Sequence, residues 1–411
     1  MIRDSRLSGA RPAQGSRILA VSPVPPWPPN GGTHHRVASQ LRALSTLTGM
    51  PVDLVILRAP AAGPSAWFDA VNVVADVPLG PDNRVPGERM LRAVVFQKPI
   101  GIHRRLASAA RHAQEMLGDQ RYALHWIFKA EIADNWEPRG VPMIVDLDDI
   151  ESRKTLAGMA AVAEQYPKSV RPLVAYRDRM SARGWGRLQA SAVGRSSGYL
   201  VCAQEDADAI PGAPCFVVPN AVVGLPDDAA DHPRPDAVTR ILLHGTLTYA
   251  PNADAVQWLL SEIAPQVWSQ EPEIVFQLAG RVSPELVERF KDDRIEFSGF
   301  VPDMLQLVQT AGVVVAPLRY GGGTRVKLIE AAATAAPIVA TSIGAEGLPF
   351  TPGTDIVIAD DAAAFARAIV SLARDPAARR SLGSAARATY VSQMSQDTVT
   401  RAVAEVLDAV L

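Results

Sequence analysis

The chain has 411 residues, more than one hydrophobic core usually serves, so its length points to two domains. With 48% hydrophobic residues, 20% charged residues and a formal net charge of -2 it has the composition of a soluble globular protein, and a polyanion-binding surface is excluded, so nucleic acid is not an expected partner. Cys202 and Cys215 stand without a second pair or a His at metal spacing, which excludes a disulfide framework and a zinc site.

Residues 1–16 read as a flexible leader. The apolar run at 18–21 stops at Pro23, Pro25 and Pro26, too short for a signal sequence, and no apolar stretch reaches the roughly 18 residues of a membrane span. A cytoplasmic protein without a membrane span is expected. Apolar runs at 18–21, 52–57, 143–145 and 198–201 predict buried strands with helical segments between them, the pattern of a parallel sheet wrapped by helices. This α/β pattern fills a first domain over residues 17–222. A linker follows over 223–239, where Pro226, Asp227, Asp228, Pro233 and Pro235 gather. The alternation then restarts, with strands at 241–244, 274–278, 295–297 and 313–316 and a helix near 253–263, giving a second α/β domain over 240–390. Each domain opens with a strand running into a loop of Pro, Asn and Gly and then a helix, at 28–32 and at 245–252. Open sheets of this kind bind ligands beyond the carboxyl ends of their strands.

Several segments carry chemistry. Asn30, Gly31 and Gly32 sit between a strand and the helix that begins near His34, as a glycine loop or an ordinary tight turn. His34 and His35 are adjacent, point to different helix faces and are left out of the site. A strand ending at Asp146, Asp148 and Asp149 puts carboxylates at its carboxyl end, where they either serve a ligand or cap the next helix, and no further ligand spacing supports a metal there. The most informative segment spans 317–333, a strand end followed by Gly321, Gly322 and Gly323 and then a helix start. Glycines admit close backbone approach, Thr324 suits the helix cap, and the open N–H groups favour an anion. Arg325 and Lys327 add two positive charges, a combination suited to a diphosphate. Glu330 lies three residues beyond Lys327, so the two either face one ligand or form a surface ion pair. The run is not a Walker loop, because no Gly-Lys-Ser/Thr follows.

The segment from Gly321 to Glu330, continued by Ala336 to Thr341 and Gly344 to Leu348, resembles the donor-site signature of the glycosyltransferase group 1 proteins, family GT4. Residues 295–303 resemble the loop that holds the donor's base in that family, and Val217, Val218, Pro219 and Asn220 resemble its interdomain Pro-Asn. The likeness covers nearly the whole chain and is strongest from about 240 to 350. It implies the GT-B fold, two Rossmann-like domains facing across a cleft, with residues 391–411 forming a C-terminal helix that returns to the first domain. It also implies a retaining glycosyltransferase whose substrates are a nucleoside diphosphate sugar and a glycan or small-molecule acceptor.

Carried onto this sequence, the resemblance assigns Glu330 to the donor ribose and Arg325 with Lys327 to the diphosphate. Gly32, Gly245, Thr246, Phe300, Gly323 and Thr324 complete the expected donor set. The family's usual pair of glutamates separated by seven residues is incomplete, since Gly322 occupies the first place, as in a recognisable subgroup. Thr246 and Pro251 stand where the family commonly has Arg and Lys, which throws more weight onto Arg325 and Lys327. Asn252 is expected to donate a neutral hydrogen bond there or to cap a helix. Asp148 and Asp149 occupy the region of a usual His-Asp pair and are expected to orient the acceptor hydroxyl or steady positive charge on the sugar ring. Attack on the face the diphosphate leaves requires no protein nucleophile, no cofactor and no metal. Two other functions fit the same fold: a nucleotide-sugar epimerase, and a non-catalytic nucleotide-sugar-binding protein suggested by Gly322.

Overall fold

The computed structural model describes residues 16–29, 31–57, 71–78, 104–162, 167–226, 229–230, 240–323 and 325–411. The expectations for residues 1–15 of the leader, for 227–228 and 231–239 of the linker, and for Thr324 lie outside the described residues. The chain divides into two compact units, one comprising Met1–Pro29, Thr33–Pro219 and Gln396–Leu411, the other Asn30–Gly32 and Asn220–Ser395.

Among the described residues the first unit holds a seven-stranded sheet in the order β3-β2-β1-β4-β5-β6-β7, with every pairing parallel. Its strands are β1 (Ile18–Ser22), β2 (Val52–Ile56), β3 (Val71–Asp76), β4 (Leu124–Phe128), β5 (Met143–Asp148), β6 (Gly198–Val201) and β7 (Cys215–Val217). Every residue of β1, β2 and β4 is buried, as a parallel sheet covered on both faces requires, whereas β3 at the edge exposes half its length or more. The core joins Leu19, Val21, Val55, Ile127, Val145 and Tyr199 across the strands. The helix Gln396–Val410 belongs to this unit: Val399, Val403, Val406 and Leu407 form its buried stripe at helical spacing, and Gln396 Nε2 donates to the Ser39 carbonyl at 2.9 Å.

The second unit holds a six-stranded parallel sheet, again among the described residues, in the order β10-β9-β8-β11-β12-β13. Its strands are β8 (Arg240–His244), β9 (Val275–Ala279), β10 (Ile295–Gly299), β11 (Val313–Ala316), β12 (Ile338–Ala340) and β13 (Val357–Ile358). The helix after β8 runs Ala250–Trp258, widens by one π-turn over Leu259–Ile263 and continues as Ala264–Trp268. Pro265 explains the widening, because it has no N–H to donate to the preceding turn. The strand order reverses between β1 and β4 in one sheet and between β8 and β11 in the other. Ligands of open α/β sheets gather at such reversals. No helix among the described residues is long and apolar enough to cross a membrane.

Candidate functional site

In the second unit the loops after β8 and β11 converge at the reversal. Gly245 N–H donates to the Ala279 carbonyl at 2.9 Å, which ties the loop after β8 to the end of β9. A Cβ at Gly280 would stand 1.8 Å from the Gly245 carbonyl oxygen, so this crossing admits only glycine there, and Gly280 also takes the left-handed φ of 129°. Beyond β11 the chain turns through the glycines into the helix Val326–Ala333, whose cap position is Arg325. The Arg325 side chain folds back over that turn, and its Nη1 donates to the carbonyls of Gly322 and Gly323.

Lys327 reaches across to the other loop. Its Nζ donates to Asn252 Oδ1 at 2.9 Å, and Asn252 Nδ2 donates to the Thr246 carbonyl at 2.9 Å. A Cβ built on Gly245 would lie 3.5 Å from the same Nζ. The loop after β8 lacks cations at Thr246 and Pro251, and the structure supplies one to it from the helix after β11. Asn252 is not a helix cap: Tyr249 precedes the helix, and Asn252 is its third residue, held by the two contacts just given.

Glu330 is buried one turn further on, its Oε2 3.5 Å from Nδ1 of the buried His244 at the end of β8. The surface ion pair between Lys327 and Glu330 offered by the sequence is therefore not formed, since Lys327 turns to Asn252 and Glu330 to His244. Burial pushes His244 down to about 4 against the pull of Glu330, so the ring is neutral near pH 7. Burial first and the Arg325 charge second bring Lys327 down to about 7, with Glu330 opposing. Positive charge is thus concentrated and desolvated at the helix start, the setting in which an anion is bound most strongly.

Other expected donor residues are placed less tightly. Gly245 and Gly323 line the two converging loops, and Thr246 is exposed beside them. Phe300 follows β10, two strands from β8, and is 62% exposed. Gly32 opens the helix Gly32–Thr48 and groups with the second unit.

In the first unit the end of β5 carries three carboxylates with three separate assignments. Asp146 is sealed in the core, gripped by Arg36 through Nε at 2.8 Å and Nη2 at 2.6 Å and by Gln40 Nε2 at 3.1 Å. Its role is to anchor the helix Gly32–Thr48 to the sheet. Asp148 has φ 64° and accepts from Lys129 Nζ at 2.8 Å, with Arg36 Nε at 3.6 Å. Asp149 accepts from Lys154 Nζ at 3.2 Å and from Cys202 Sγ at 3.8 Å, while its backbone carbonyl accepts from Gln189. Burial works against the Asp148 charge, but Lys129 and then Arg36 outweigh it and hold the carboxyl well below the usual range. Asp148, Asp149 and Cys202 offer ligand atoms within 4.8 Å of one another; Arg36, Lys129 and Lys154 pair with Asp146, Asp148 and Asp149, and Lys154 is shared with Glu151 at 3.5 Å.

No motif marks Arg36, Lys129, Lys154 or His244. Arg36, Lys129 and His244 act through partners brought in by the fold, as with Arg36 and Asp146, 110 residues apart, and Lys154 through its near neighbour Asp149.

Two doubly wound parallel sheets, each with its polar cluster at the carboxyl ends of its strands, define a GT-B protein. Residues 238–375, within the second unit, match the family model for glycosyl transferases group 1. An uncharacterised 44.6 kDa protein of the cps region of Klebsiella pneumoniae is 26% identical over 144 residues, which are 33% of this chain and only 37% of that protein. Sucrose-phosphate synthase from Thermosynechococcus elongatus superimposes with a TM-score of 0.68 at 18% identity, over 95% of this chain and 98% of that one. Anabaena HepE in complex with UDP and glucose gives 0.61 at 14% identity, over 96% and 100%. A glycosyltransferase from Rickettsia africae gives 0.57 at 14% identity, over 96% and 98%. At these identities the structural likeness establishes the fold.

Proposed function

We propose that the protein is a retaining glycosyltransferase of the subgroup lacking the first glutamate, moving a sugar from a nucleoside diphosphate to an acceptor hydroxyl. The observation that carries this reading is the contact that Lys327 and Asn252 make with the loop of Gly245, beside the glycine turn over which Arg325 folds, at the strand reversal of the unit that matches the family model. Arg325, Lys327 and the helix N–H groups hold the diphosphate and stabilise the charge it gains on leaving. Glu330 accepts from the ribose hydroxyls, and Phe300 lies in the loop that receives the base. HepE was crystallised with UDP and glucose, which supports a donor of this chemical class. The sugar is attacked on the face the diphosphate leaves, and the departing oxygen takes the hydroxyl proton, so no protein nucleophile is needed. Asp148 and Asp149 serve the acceptor, and the cations of the second unit take the place of a metal. A donor of this class also puts the reaction in the cytoplasm.

Incubation with radiolabelled UDP-, GDP-, dTDP- and ADP-sugars tests the reading. Transfer with retained anomeric configuration, or slow donor hydrolysis, is expected and is unchanged by a chelator. Isomerised donor alone identifies an epimerase, and binding without turnover identifies a sugar-nucleotide binder.

A further inference from the structure

The strand at which the first sheet reverses is β4, and the residue immediately after it is Lys129. Functional groups of open parallel sheets collect beside such a reversal. Lys129 has φ 80° and ψ 134°, and Asp148, at the end of the neighbouring strand β5, has φ 64°. Side chains other than glycine crowd the backbone in that region, and neighbouring structure must hold them there. Here the hold is visible: pairing of the two strands runs to Phe128 and Asp146, and Lys129 N–H then donates to the Asp146 carbonyl at 2.7 Å. The paired strands end in two backbone bends, and across them Lys129 Nζ meets Asp148 Oδ2 at 2.8 Å.

Burial separates this pair from its neighbour. The Arg36 and Asp146 side chains are each 2% exposed, a sealed ion pair that fixes a helix to the sheet. Lys129 and Asp148 keep 18% and 16%, desolvated on most sides and open on one. The exposed part of the carboxylate remains within reach of a ligand group.

The geometry points to Lys129 as a positioning residue of the acceptor end, holding Asp148 ionised and oriented so that the carboxylate accepts a hydrogen bond from the incoming hydroxyl. This rests on the reading of Asp148 as an acceptor-side residue. The groups that face Asp148 are Lys129, Arg36 and Lys154 with positive charge, Asp146 and Asp149 with negative charge, and the Cys202 thiol, while Glu131 and Glu151 stand near Lys129 and Glu151 also pairs with Lys154 at 3.5 Å. Lys129 is the nearest cation, so its removal has the largest effect on the charge of Asp148.

The test is the pH profile of transfer by the full chain, with donor hydrolysis and nucleotide affinity measured on the same preparations. Lys129→Met should move the acidic limb of kcat for transfer up by about one pH unit or more, which lowers transfer on that limb about tenfold, with nucleotide Kd within about twofold of the parent. Lys129→Arg should keep most of the activity and the parental limb. An unshifted limb in Lys129→Met, or the same loss in both variants without a shift, overturns the inference. Full transfer by Asp148→Asn instead removes the acceptor reading on which it rests, so the two failures are distinguishable. Should Lys129→Met melt early, combining it with Asp148→Asn removes both charges. Transfer by that double variant should equal transfer by Asp148→Asn alone, and a further loss overturns action through Asp148.

Discussion

The carboxylate cluster at the end of β5 and the helix start at Val326 are both buried polar sites at the carboxyl ends of parallel strands, yet their charges are arranged differently. In the first unit Arg36, Lys129 and Lys154 pair with Asp146, Asp148 and Asp149, and Lys154 also serves Glu151, so every cation of the cluster is already balanced by a carboxylate. In the second unit Arg325 and Lys327 lean on the carbonyls of Gly322 and Gly323 and on the Asn252 amide, and the Arg325 charge helps to lower the basicity of Lys327. A balanced cluster orients a neutral group, whereas a concentration of positive charge receives an anion. The proposed acceptor and diphosphate sites divide in the same way.

The largest expected effect breaks the electropositive side. Arg325→Ala and Lys327→Ala should each lower turnover by at least about 100-fold and weaken nucleoside diphosphate binding, because a desolvated charge on the leaving group is lost. Near-normal steady-state turnover in both variants would remove diphosphate binding from this helix start. Next in size, Asp148→Asn and Asp149→Asn should lower transfer about tenfold or more, leave nucleotide affinity close to the parent's and affect donor hydrolysis less, since water needs little orientation. Loss of nucleotide binding in either variant would move that residue to the donor, and a lower melting temperature with unchanged kinetics would make it structural.

The titration of Lys327 sharpens the contrast. Its amine stands near 7 in the free protein, and a bound diphosphate favours the charged form. Binding should therefore take up a proton, and affinity should fall by up to about tenfold as pH rises from 6 to 8. Calorimetry in two buffers of different ionisation enthalpy reads that proton directly, and a flat affinity with no proton uptake contradicts the assignment. The smallest effect expected is from Glu330→Gln, which should weaken nucleoside diphosphate binding about fivefold and leave pyrophosphate binding unchanged, as exchange of a charged for a neutral acceptor implies. Equal losses for both ligands would take Glu330 away from the ribose.

The features legible in the sequence are those written in adjacent residues. Apolar runs mark β1, β8 and β11, a run broken by Asp53 marks β2, and the glycines leading into Arg325, Lys327 and Glu330 carry their chemistry within ten positions. The strand β4 is harder to read, because His125 and Trp126 break its aliphatic run. The fold accommodates them: Trp126 Nε1 donates to Gln40 Oε1 at 2.7 Å, and His125 packs edge-on against Tyr122 and Trp136. With β4 unread, Lys129 had no strand end to belong to. The partners of Lys327 and His244 were equally hidden, since Asn252 and Glu330 reach them only when β8 and β11 lie side by side.

The helix Gln396–Val410 has a bearing on how the chain is made. It lies beyond Ser395, the end of the second unit in sequence, yet it packs in the first, where Gln396 closes on the Ser39 carbonyl. On the ribosome the amino-terminal sheet emerges early and waits through the synthesis of an entire second unit before Val399, Val403, Val406 and Leu407 arrive to cover it. Completion of the first unit therefore depends on residues translated after those of the second.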